Sequence, residues 1–205
     1  LGYETFVLVA HDWGGAAAWN LAIAHPELLR KLIIINSPHP WLFMQALSDD
    51  PAQIAASAYM NWLRAEGSEQ KLAQNNFARM DGFFKDQRTS VLPVWFNDEV
   101  RTRYHDCWAR GLHGGVNYYR ATPLHPAYTS GPGPTVLQLD PNSFRVRVTT
   151  LVIWGEADHA LMTSLLDGLD HWVDDLVVER SADGSHWVIH EQPDRINQRI
   201  REFLY

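Results

Sequence analysis

The sequence carries an aspartate where a buried strand and a helix are expected to meet. Asp12 lies in "AHDWGG", between the apolar run "TFVLV" and the alanine-rich "AAAWNLAIAHP". This pattern predicts a strand, a sharp turn that exposes the Asp12 side chain, and a helix. An aspartate has an ordinary pKa of about 3.9, so its carboxylate can attack without first losing a proton. We interpret Asp12 as a nucleophile that displaces a leaving group from saturated carbon; the alternative is a turn aspartate that hydrogen-bonds its own backbone.

Two further ionisable residues follow predicted strands later in the chain. Asp158 comes after "TTLVIWG", and His186 lies in the loop after "LVVER". The order nucleophile, acid, base is that of a catalytic triad whose members stand at strand ends. In this interpretation His186 activates water against an ester of Asp12, and Asp158 orients the His186 ring.

The acid and the base both have competitors in the sequence. His190 is a rival base four residues after His186, and Glu156 and Asp140 are rival acids. His190 falls inside the next predicted segment, and Asp140 precedes a proline in "QLDP", where a turn residue is common. Position relative to the predicted strands therefore favours His186 and Asp158.

The elements around these residues predict an α/β fold with a doubly wound, mostly parallel sheet. Before residue 38 the order is strand, turn, a helix from Ala16 to about Ala24, and the strand "KLIIIN". Near-continuous apolar strands are typical of a parallel sheet. Strand patterns resume at "TTLVIWG", followed by a predicted helix over residues 165–173 and the strand "LVVER". A final helix begins near Pro193, with apolar residues at helical spacing: Ile196, Ile200, Phe203 and Leu204.

The region between these two halves has a different composition. It is mostly helical in pattern and rich in aromatic residues, and it ends in the breaker stretch "TSGPGPT". We predict a helical cap at 38–140, inserted between core segments at 1–37 and 141–205. The tryptophans and phenylalanines of the cap are expected to form its core and a pocket wall, which favours a small apolar or aromatic substrate.

Composition excludes several function classes. The 205 residues are 46% hydrophobic and 20% charged, which is typical of a globular domain that buries a sizeable core. A net charge of -7 without a basic tract argues against nucleic acid and membrane surfaces as partners. The single cysteine, Cys107, favours a reducing compartment such as the cytoplasm, and we expect it to be a small buried residue. No metal-binding motif is present, so a metal site is not expected.

Six stretches together resemble the epoxide hydrolase branch of the α/β-hydrolase superfamily. They are "HDWGG", "WGEADHALM" and "GSHWVIHEQPDRIN" in the predicted core, "INSPHP" leading into the cap, and "SAYMNWLRAEG" and "NYYR" in the cap. The resemblance covers essentially the whole chain. It implies an α/β-hydrolase fold, an epoxide and water as substrates, and no cofactor.

The resemblance also implies roles for residues of the cap and the elbow. Tyr59 and Tyr119 match the family's pair of tyrosines that activate the epoxide oxygen, although Tyr59 is alternatively a member of the cap's aromatic core. Tyr118 and Tyr119 lie about 100° apart on a helix, so only one can face the nucleophile, and Tyr119 aligns with the family tyrosine. The backbone N–H of Trp13 is expected to serve as an oxyanion donor, with its indole in the pocket. His11 and His39 are expected to line the pocket mouth.

The sequence departs from this family before its first strand. Family members have several strands ahead of the nucleophile, including an HGxP loop that supplies a second oxyanion donor, and no stretch of the 205 residues matches that loop. A central strand without its neighbour exposes an apolar edge. We therefore expect a complementing N-terminal segment, or a second copy of the chain in a homo-oligomer, to complete the sheet.

Two other functions remain as alternatives. A haloalkane or haloacid dehalogenase would use the same Asp12, Asp158 and His186, with the Trp13 indole donating to the departing halide. The chain is alternatively an inactive fragment or an interaction protein that requires a partner chain. The pair of cap tyrosines favours the epoxide. Phenols are suitable donors to the alkoxide that forms when an epoxide opens, whereas a dehalogenase needs donors that bind a halide in place of an alkoxide.

Overall fold

The chain divides into two compact units. The computed structural model describes residues 2–86, 89–127 and 139–205. One unit consists of the chain up to Ala56 together with the part from Thr135 onward, and the second lies within Ser57–Pro134. The predicted boundaries at 37/38 and 140/141 therefore differ from the observed ones. The breaker stretch "TSGPGPT" lies outside the described residues.

Within the described residues, the first unit is built on four parallel strands, in the spatial order β1-β2-β3-β4. The prediction of a parallel α/β sheet is therefore confirmed. The strands are β1 (Phe6–His11), β2 (Leu29–Ile35), β3 (Thr150–Gly155) and β4 (Leu176–Ser181). The α-helices of this unit are α1 (Trp13–Ala24), α2 (Pro40–Asp49), α3 (Pro51–Ala56), α8 (Val188–Glu191) and α9 (Pro193–Leu204).

Both faces of the sheet are covered, as the apolar strands predict. Leu32 and Ile34 of β2 belong to a buried cluster that includes Trp19 of α1. The alternate residues Ile33 and Ile35 belong to a second cluster, which includes side chains of α8 and α9. Because successive side chains of a strand point to opposite faces, this alternation places α1 on one side of the sheet and α9 on the other.

The helix predicted over residues 165–173 is not formed. Two short 3₁₀ turns, Thr163–Leu166 and Leu169–His171, occupy this segment. Gly168 lies between them at a φ of 73°, a left-handed conformation that interrupts an α-helix. The leucines of the two turns are buried in the cluster on the α1 side of the sheet, so their apolar spacing reflected burial and not helix. The final helix, α9, is confirmed and begins at Pro193.

The segment 38–56, predicted as part of the cap, packs with the core unit. Leu42, Phe43 and Ala46 of α2 contact the apolar cluster on the α1 side. Gln53 of α3 is fully buried and bonds the backbone of the loop after β3. The helical, aromatic pattern predicted the secondary structure of 38–56 correctly, but it carried no information about which unit these helices join.

The second unit is helical, as predicted for the cap. Its helices are α4 (Ala58–Arg64), α5 (Ser68–Asp81), α6 (Asp98–Trp108) and α7 (His113–Ala121), with a 3₁₀ turn at Gly82–Phe84. Leu63, Leu72 and Val116 form its buried aliphatic centre. Cys107 is exposed on α6, which corrects the expectation of a buried thiol. Among the described residues, no helix has the length and apolar character needed to cross a membrane.

β1 lies at one edge of the described sheet. Phe6 and Val9 on this strand are 39% and 47% exposed. The expectation that another segment or a second copy covers this edge stays a prediction.

Shortening a buried side chain on β2, an internal strand, should destabilise the first unit far more than shortening an exposed side chain on the edge strand β1. Ile33 of β2 is completely buried, so Ile33→Ala should lower the free energy of unfolding by about 2–5 kcal/mol. Val9→Ala, at a half-exposed position of β1, should cost less than about 1 kcal/mol. Urea unfolding followed by tryptophan fluorescence measures both values. Equal losses in the two variants would contradict the assignment of β2 to the core.

Candidate active site

Asp12 stands at the turn between β1 and α1. Its backbone is at φ 53° and ψ -126°, a strained conformation for a residue with a side chain. The Asp12 carbonyl accepts hydrogen bonds from Ala16 N at 3.1 Å and from Ser37 Oγ at 2.8 Å, which hold the turn. A Cβ on Gly15 would lie 2.4 Å from Cβ of Ser37, so a glycine is needed where α1 meets the loop after β2. The strained turn predicted from the sequence is therefore present.

The structure brings the three predicted triad residues together. Nε2 of His186 lies 3.2 Å from Oδ1 of Asp12, and Nδ1 of His186 lies 2.7 Å from Oδ2 of Asp158. The imidazole therefore bridges the two carboxylates, one at each ring nitrogen. This is the connectivity of a nucleophile, a base and an orienting acid.

The rival residues lie elsewhere. Glu156 forms an ion pair with Arg180 at 3.1 Å. Asp140 accepts from the backbone N–H of Asn142 at 2.9 Å and caps a 3₁₀ turn. His190 lies in α8, and its ring centroid is 6.4 Å from that of Trp187. The geometry therefore selects His186 and Asp158, the pair that strand position favours.

The carboxylate of Asp158 is held from several sides. Its Oδ1 accepts the backbone N–H groups of Ala160 at 2.8 Å and Leu161 at 3.0 Å. Its Oδ2 accepts from Nδ2 of Asn36 at 2.9 Å in addition to the His186 ring. Burial alone would raise the pKa of Asp158, but the hydrogen bonds and the charge of His186 outweigh burial, and the pKa is lowered.

Asn36 is a positioning residue that sequence reasoning missed. It follows β2, is fully buried and has a φ of 37°. Its side chain accepts from Gly155 N at 2.8 Å and donates to Gly155 O at 3.2 Å, in addition to the bond to Asp158. Asn36 thereby ties the end of β2 to the end of β3 and to the acid. The available signal was a polar residue directly after the apolar run "LIII".

Gln53 of α3 holds the same loop from its other side. Its Oε1 accepts the backbone N–H of Met162 at 2.9 Å, and its Nε2 donates to the carbonyl of Ala160 at 2.8 Å. The acid loop is therefore fixed between Asn36 and Gln53. More than a hundred residues separate Gln53 from this loop, so no local pattern in the sequence could identify the contact.

The charge on His186 follows from its two partners. Burial would lower the pKa of His186, but the hydrogen bonds that its ring donates to Asp12 and Asp158, together with their negative charges, raise it to about 10. Burial would likewise raise the pKa of Asp12, but the bond to His186 and its charge lower it. At neutral pH the site therefore holds an imidazolium between two carboxylates.

His11 lies against the base. Its Nε2 donates to the carbonyl oxygen of His186 at 2.8 Å, and the two rings are 4.8 Å apart between centroids. Burial, together with the charge of His186, lowers the pKa of His11 to about 4, so His11 is neutral at neutral pH. This contact fixes the backbone at the base; a role of His11 in substrate binding stays a prediction.

His39 does not line a pocket mouth, which corrects that expectation. Its side chain is buried with a residue exposure of 1%, and its Nε2 donates to the carbonyl of Phe144 at 2.9 Å. The ring packs edge-on against Trp19 and stacks on Trp172. Burial lowers the pKa of His39 to about 4. His39 is therefore a neutral core residue.

Trp13 is the first residue of α1. Its backbone N–H hydrogen-bonds the Asp12 carboxyl and contributes to the lowered pKa of that group. An N–H at this position, at the N-terminus of a helix, favours negative charge on the Asp12 side chain.

The two predicted tyrosines lie together in the second unit. Tyr59 belongs to α4 and Tyr119 to α7, and their rings are 6.0 Å apart between centroids at an angle of 75°. Both rings pack against the aliphatic centre of the unit. Tyr118, the alternative in "NYYR", is 54% exposed. Within the described ranges, no group of three or more histidine, cysteine or acidic side chains is arranged to hold a metal ion.

Comparison with known proteins defines the class. Residues 1–193 match the model of the alpha/beta hydrolase fold family, so the chain belongs to that family. Its similarities place it in the epoxide hydrolase branch. It is 29% identical to epoxide hydrolase 4 of Mus musculus over 100% of this chain and 55% of the relative. The chain thus spans about half the length of this curated relative.

Solved structures give the same relationship. A variant of an epoxide hydrolase from Bacillus megaterium, complexed with its product (R)-3-[1]naphthyloxy-propane-1,2-diol, is 28% identical with a TM-score of 0.84, and the match covers 99% of this chain and 70% of that one. A structure described among novel epoxide hydrolases of the alpha/beta hydrolases superfamily in metagenomes from hot environments is 31% identical with a TM-score of 0.81. That match covers 100% of this chain and 69% of the other.

Removing one carboxylate should lower the pKa of His186. In Asp12→Asn the hydrogen-bonding geometry is nearly retained but the charge is lost, so the His186 pKa should fall clearly below its value of about 10 in the native site. Imidazole nitrogen shifts followed by NMR during a pH titration measure this value. Asp170→Asn, at an exposed acid outside the triad, is the control. An unchanged His186 pKa in Asp12→Asn would contradict the bridged geometry.

The same shift predicts a pH dependence of stability. Because the folded-state pKa of His186 is raised, its proton stabilises the fold fully below about pH 6.5, the ordinary histidine value. This contribution should be lost as pH rises from there through about 10. The free energy of unfolding of the native protein, compared with that of His186→Gln across this range, measures the effect. A difference between the two proteins that does not shrink toward pH 10 would exclude the raised pKa.

Proposed function

We propose that the protein hydrolyses an epoxide to a vicinal diol through a covalent ester of Asp12. The observation that carries this proposal is the carboxylate at the strained turn, bridged through His186 to Asp158. A carboxylate nucleophile suits attack on saturated carbon, and a separate base suits hydrolysis of the resulting ester. The similarity to epoxide hydrolases supports the same reaction class.

In the first step an Asp12 carboxylate oxygen attacks a ring carbon of the epoxide. The bond between that carbon and the epoxide oxygen breaks, and its electron pair stays on the oxygen. A phenol of Tyr59 or Tyr119 donates a proton to the oxygen as charge develops there. Such a donor stabilises charge that appears only as the ring opens, which lowers the barrier without tightening substrate binding equally.

Ester formation lowers the pKa of His186 without any further change in the site. The Asp12 ester is neutral, so His186 loses one of the two negative charges that raise its pKa. Its pKa therefore falls, and its proton can return to the tyrosinate left by the first step. His186 is then neutral beside the ester, which is the form that a general base requires.

In the second step His186 removes a proton from water, and the resulting hydroxide attacks the carbonyl carbon of the ester. The backbone N–H of Trp13 stabilises the oxyanion. The tetrahedral intermediate expels the diol alkoxide, which takes the remaining proton of the attacking water. Asp12 is again a carboxylate and His186 again an imidazolium, so the starting charge state is restored.

The proposed substrate class is a small apolar epoxide that carries an aromatic group. The relative from Bacillus megaterium forms a naphthyloxy diol, and the second unit of this chain is rich in aromatic side chains. An aryloxy-substituted epoxide is therefore the first compound to test. A matched alkyl halide separates the epoxide reaction from dehalogenation, because only the latter releases halide.

Blocking the second step should trap the intermediate. His186→Gln should form the ester but fail to hydrolyse it, so the protein should gain the mass of one substrate molecule, visible by intact mass spectrometry. Asp12→Ala should show neither turnover nor added mass, because it lacks the nucleophile. Normal turnover in His186→Gln would contradict the base assignment, and normal turnover in Asp12→Ala would contradict the nucleophile assignment. If His186→Gln gains no mass from a substrate that the native protein hydrolyses, the covalent intermediate is excluded.

Removing both phenols should slow ring opening. Tyr59→Phe and Tyr119→Phe should each reduce the rate of ester formation moderately, because the remaining phenol can still donate. The double variant should lose on the order of a hundredfold or more, the range of a missing donor in a transition state. Rapid-quench mass spectrometry measures ester formation directly. A double variant that forms the ester at the native rate would remove the tyrosines from the mechanism.

A further inference from the structure

Two arginines of the second unit reach across to the ends of each other's helices. Arg64, the last residue of α4, donates through Nη1 to the carbonyls of Tyr119 and Thr122, the latter at 2.9 Å. Arg120, near the end of α7, donates through Nη2 to the carbonyl of Ala65 at 3.2 Å and through Nε to that of Arg64 at 3.4 Å. Each helix is therefore capped by the arginine of the other.

The acceptors explain why cations occupy these positions. The last carbonyls of an α-helix have no N–H partner within the helix and carry its negative partial charge. Arg64 reaches both of its carbonyls through Nη1, whereas Arg120 uses Nε and Nη2 of its planar fork to reach the two carbonyls at the end of α4. Arg64 and Arg120 thus supply a directional link between α4 and α7 in addition to the apolar contacts.

Glu69 fixes the second arginine. Its carboxylate accepts hydrogen bonds from both terminal nitrogens of Arg120, and the distance from Nη2 to Oε2 is 2.8 Å. Nη2 of Arg120 also donates to Oγ of Ser68 at 3.2 Å. The hydrogen bonds from Arg120 lower the pKa of Glu69 to about 2, so the pair is charged at neutral pH. Because Glu69 lies in the first turn of α5, the link joins three helices.

One of these links includes the backbone of Tyr119, and both linked helices carry one of the two tyrosines. The carbonyl of Tyr119 is itself an acceptor of Arg64, and Arg120 directly follows Tyr119. Tyr59 lies on α4, five residues before Arg64. The aliphatic contacts of Leu63, Leu72 and Val116 hold the helices together but are not directional. These contacts therefore give only weak resistance to one helix sliding along another.

We propose that Arg64 and Arg120, with Glu69, are positioning residues that fix the relative placement of the Tyr59 and Tyr119 phenols for epoxide opening. This inference rests on the proposed function, because it assigns the tyrosines as proton donors. A displacement of about 1 Å in such a constellation costs on the order of a hundredfold in rate. The arginines bind backbone carbonyls and Glu69 and are assigned no contact with the substrate. Their proposed effect on the reaction is therefore indirect, through the positions of the two tyrosines.

The test separates the two chemical steps in the full protein. Arg120→Lys keeps the charge but loses the fork, and Glu69→Gln keeps the shape but loses the charge. Each should slow ester formation by about tenfold or more, while ester hydrolysis changes less than about twofold. Rapid-quench mass spectrometry with an aryloxy epoxide measures both rates. Arg103→Lys is the matched control, since Arg103 pairs with Glu99 on an exposed face of α6, and its rates should stay native.

A double-mutant cycle separates positioning from general destabilisation. If Arg120 acts by placing the Tyr119 phenol, Arg120→Lys should have a much smaller effect in a Tyr119→Phe background than in the native protein. Full additivity of the two effects would overturn the proposal, as would equal slowing of both chemical steps. Arg64→Lys provides a second variant if Arg120→Lys unfolds, and it should show the same selective loss.

The proposed function and the positioning role fail in different ways. If the native protein forms no Asp12 ester and releases no diol, the proposed function falls, and the positioning role falls with it. If the double tyrosine variant forms the ester at the native rate, the ester chemistry stands, but the tyrosines are not donors and the positioning role falls. If that variant is slow while Arg120→Lys and Glu69→Gln form the ester at the native rate, only the positioning role is overturned.

Discussion

One imidazolium between two carboxylates is the interaction on which the rest of the site depends. His186 contacts Asp12 with one ring nitrogen and Asp158 with the other, at 3.2 and 2.7 Å. The Asp158 carboxylate is fully buried and the His186 ring nearly so, and charges that would each be costly to bury alone compensate one another. In the mechanism that we propose, the same balance makes His186 responsive, because an ester of Asp12 would remove one of the two charges that keep the proton on His186. Structure and chemistry are thus coupled through one titrating group.

The parallel sheet supplies the positions that this interaction needs. Asp12 follows β1, Asp158 follows β3, and His186 lies in the loop after β4, so all three stand at the carboxyl ends of strands. Asn36, after β2, completes the row by bonding both Gly155 and Asp158. Because parallel strands end at one edge of a sheet, residues far apart in sequence meet there without a dedicated scaffold.

Much of this arrangement could be predicted from the sequence, and the exceptions have physical causes. Apolar runs that end in ionisable residues predicted the three side chains that the structure brings into contact, since strand ends are readable from local pattern. The amides of Asn36 and Gln53 were missed because a neutral polar residue gives no charge signal and their partners are distant in sequence. The helix predicted at 165–173 is wrong because apolar spacing indicates which side chains are buried and not which backbone conformation buries them. Two 3₁₀ turns on either side of Gly168 bury the same leucines. His39 was misplaced because its burial between aromatic rings depends on tertiary packing.

In the proposed reaction the Asp12 carboxylate bonds to substrate carbon and is then released by water that attacks the ester carbonyl. A single turnover in ¹⁸O-labelled water, with protein in excess over an aryloxy epoxide, distinguishes this route from attack of water on the substrate itself. We expect one ¹⁸O atom in the Asp12 side chain, located by peptide mass spectrometry, and none in the diol. Label in the diol with an unlabelled Asp12 would show that water attacks substrate carbon, and would exclude release by attack on the ester carbonyl.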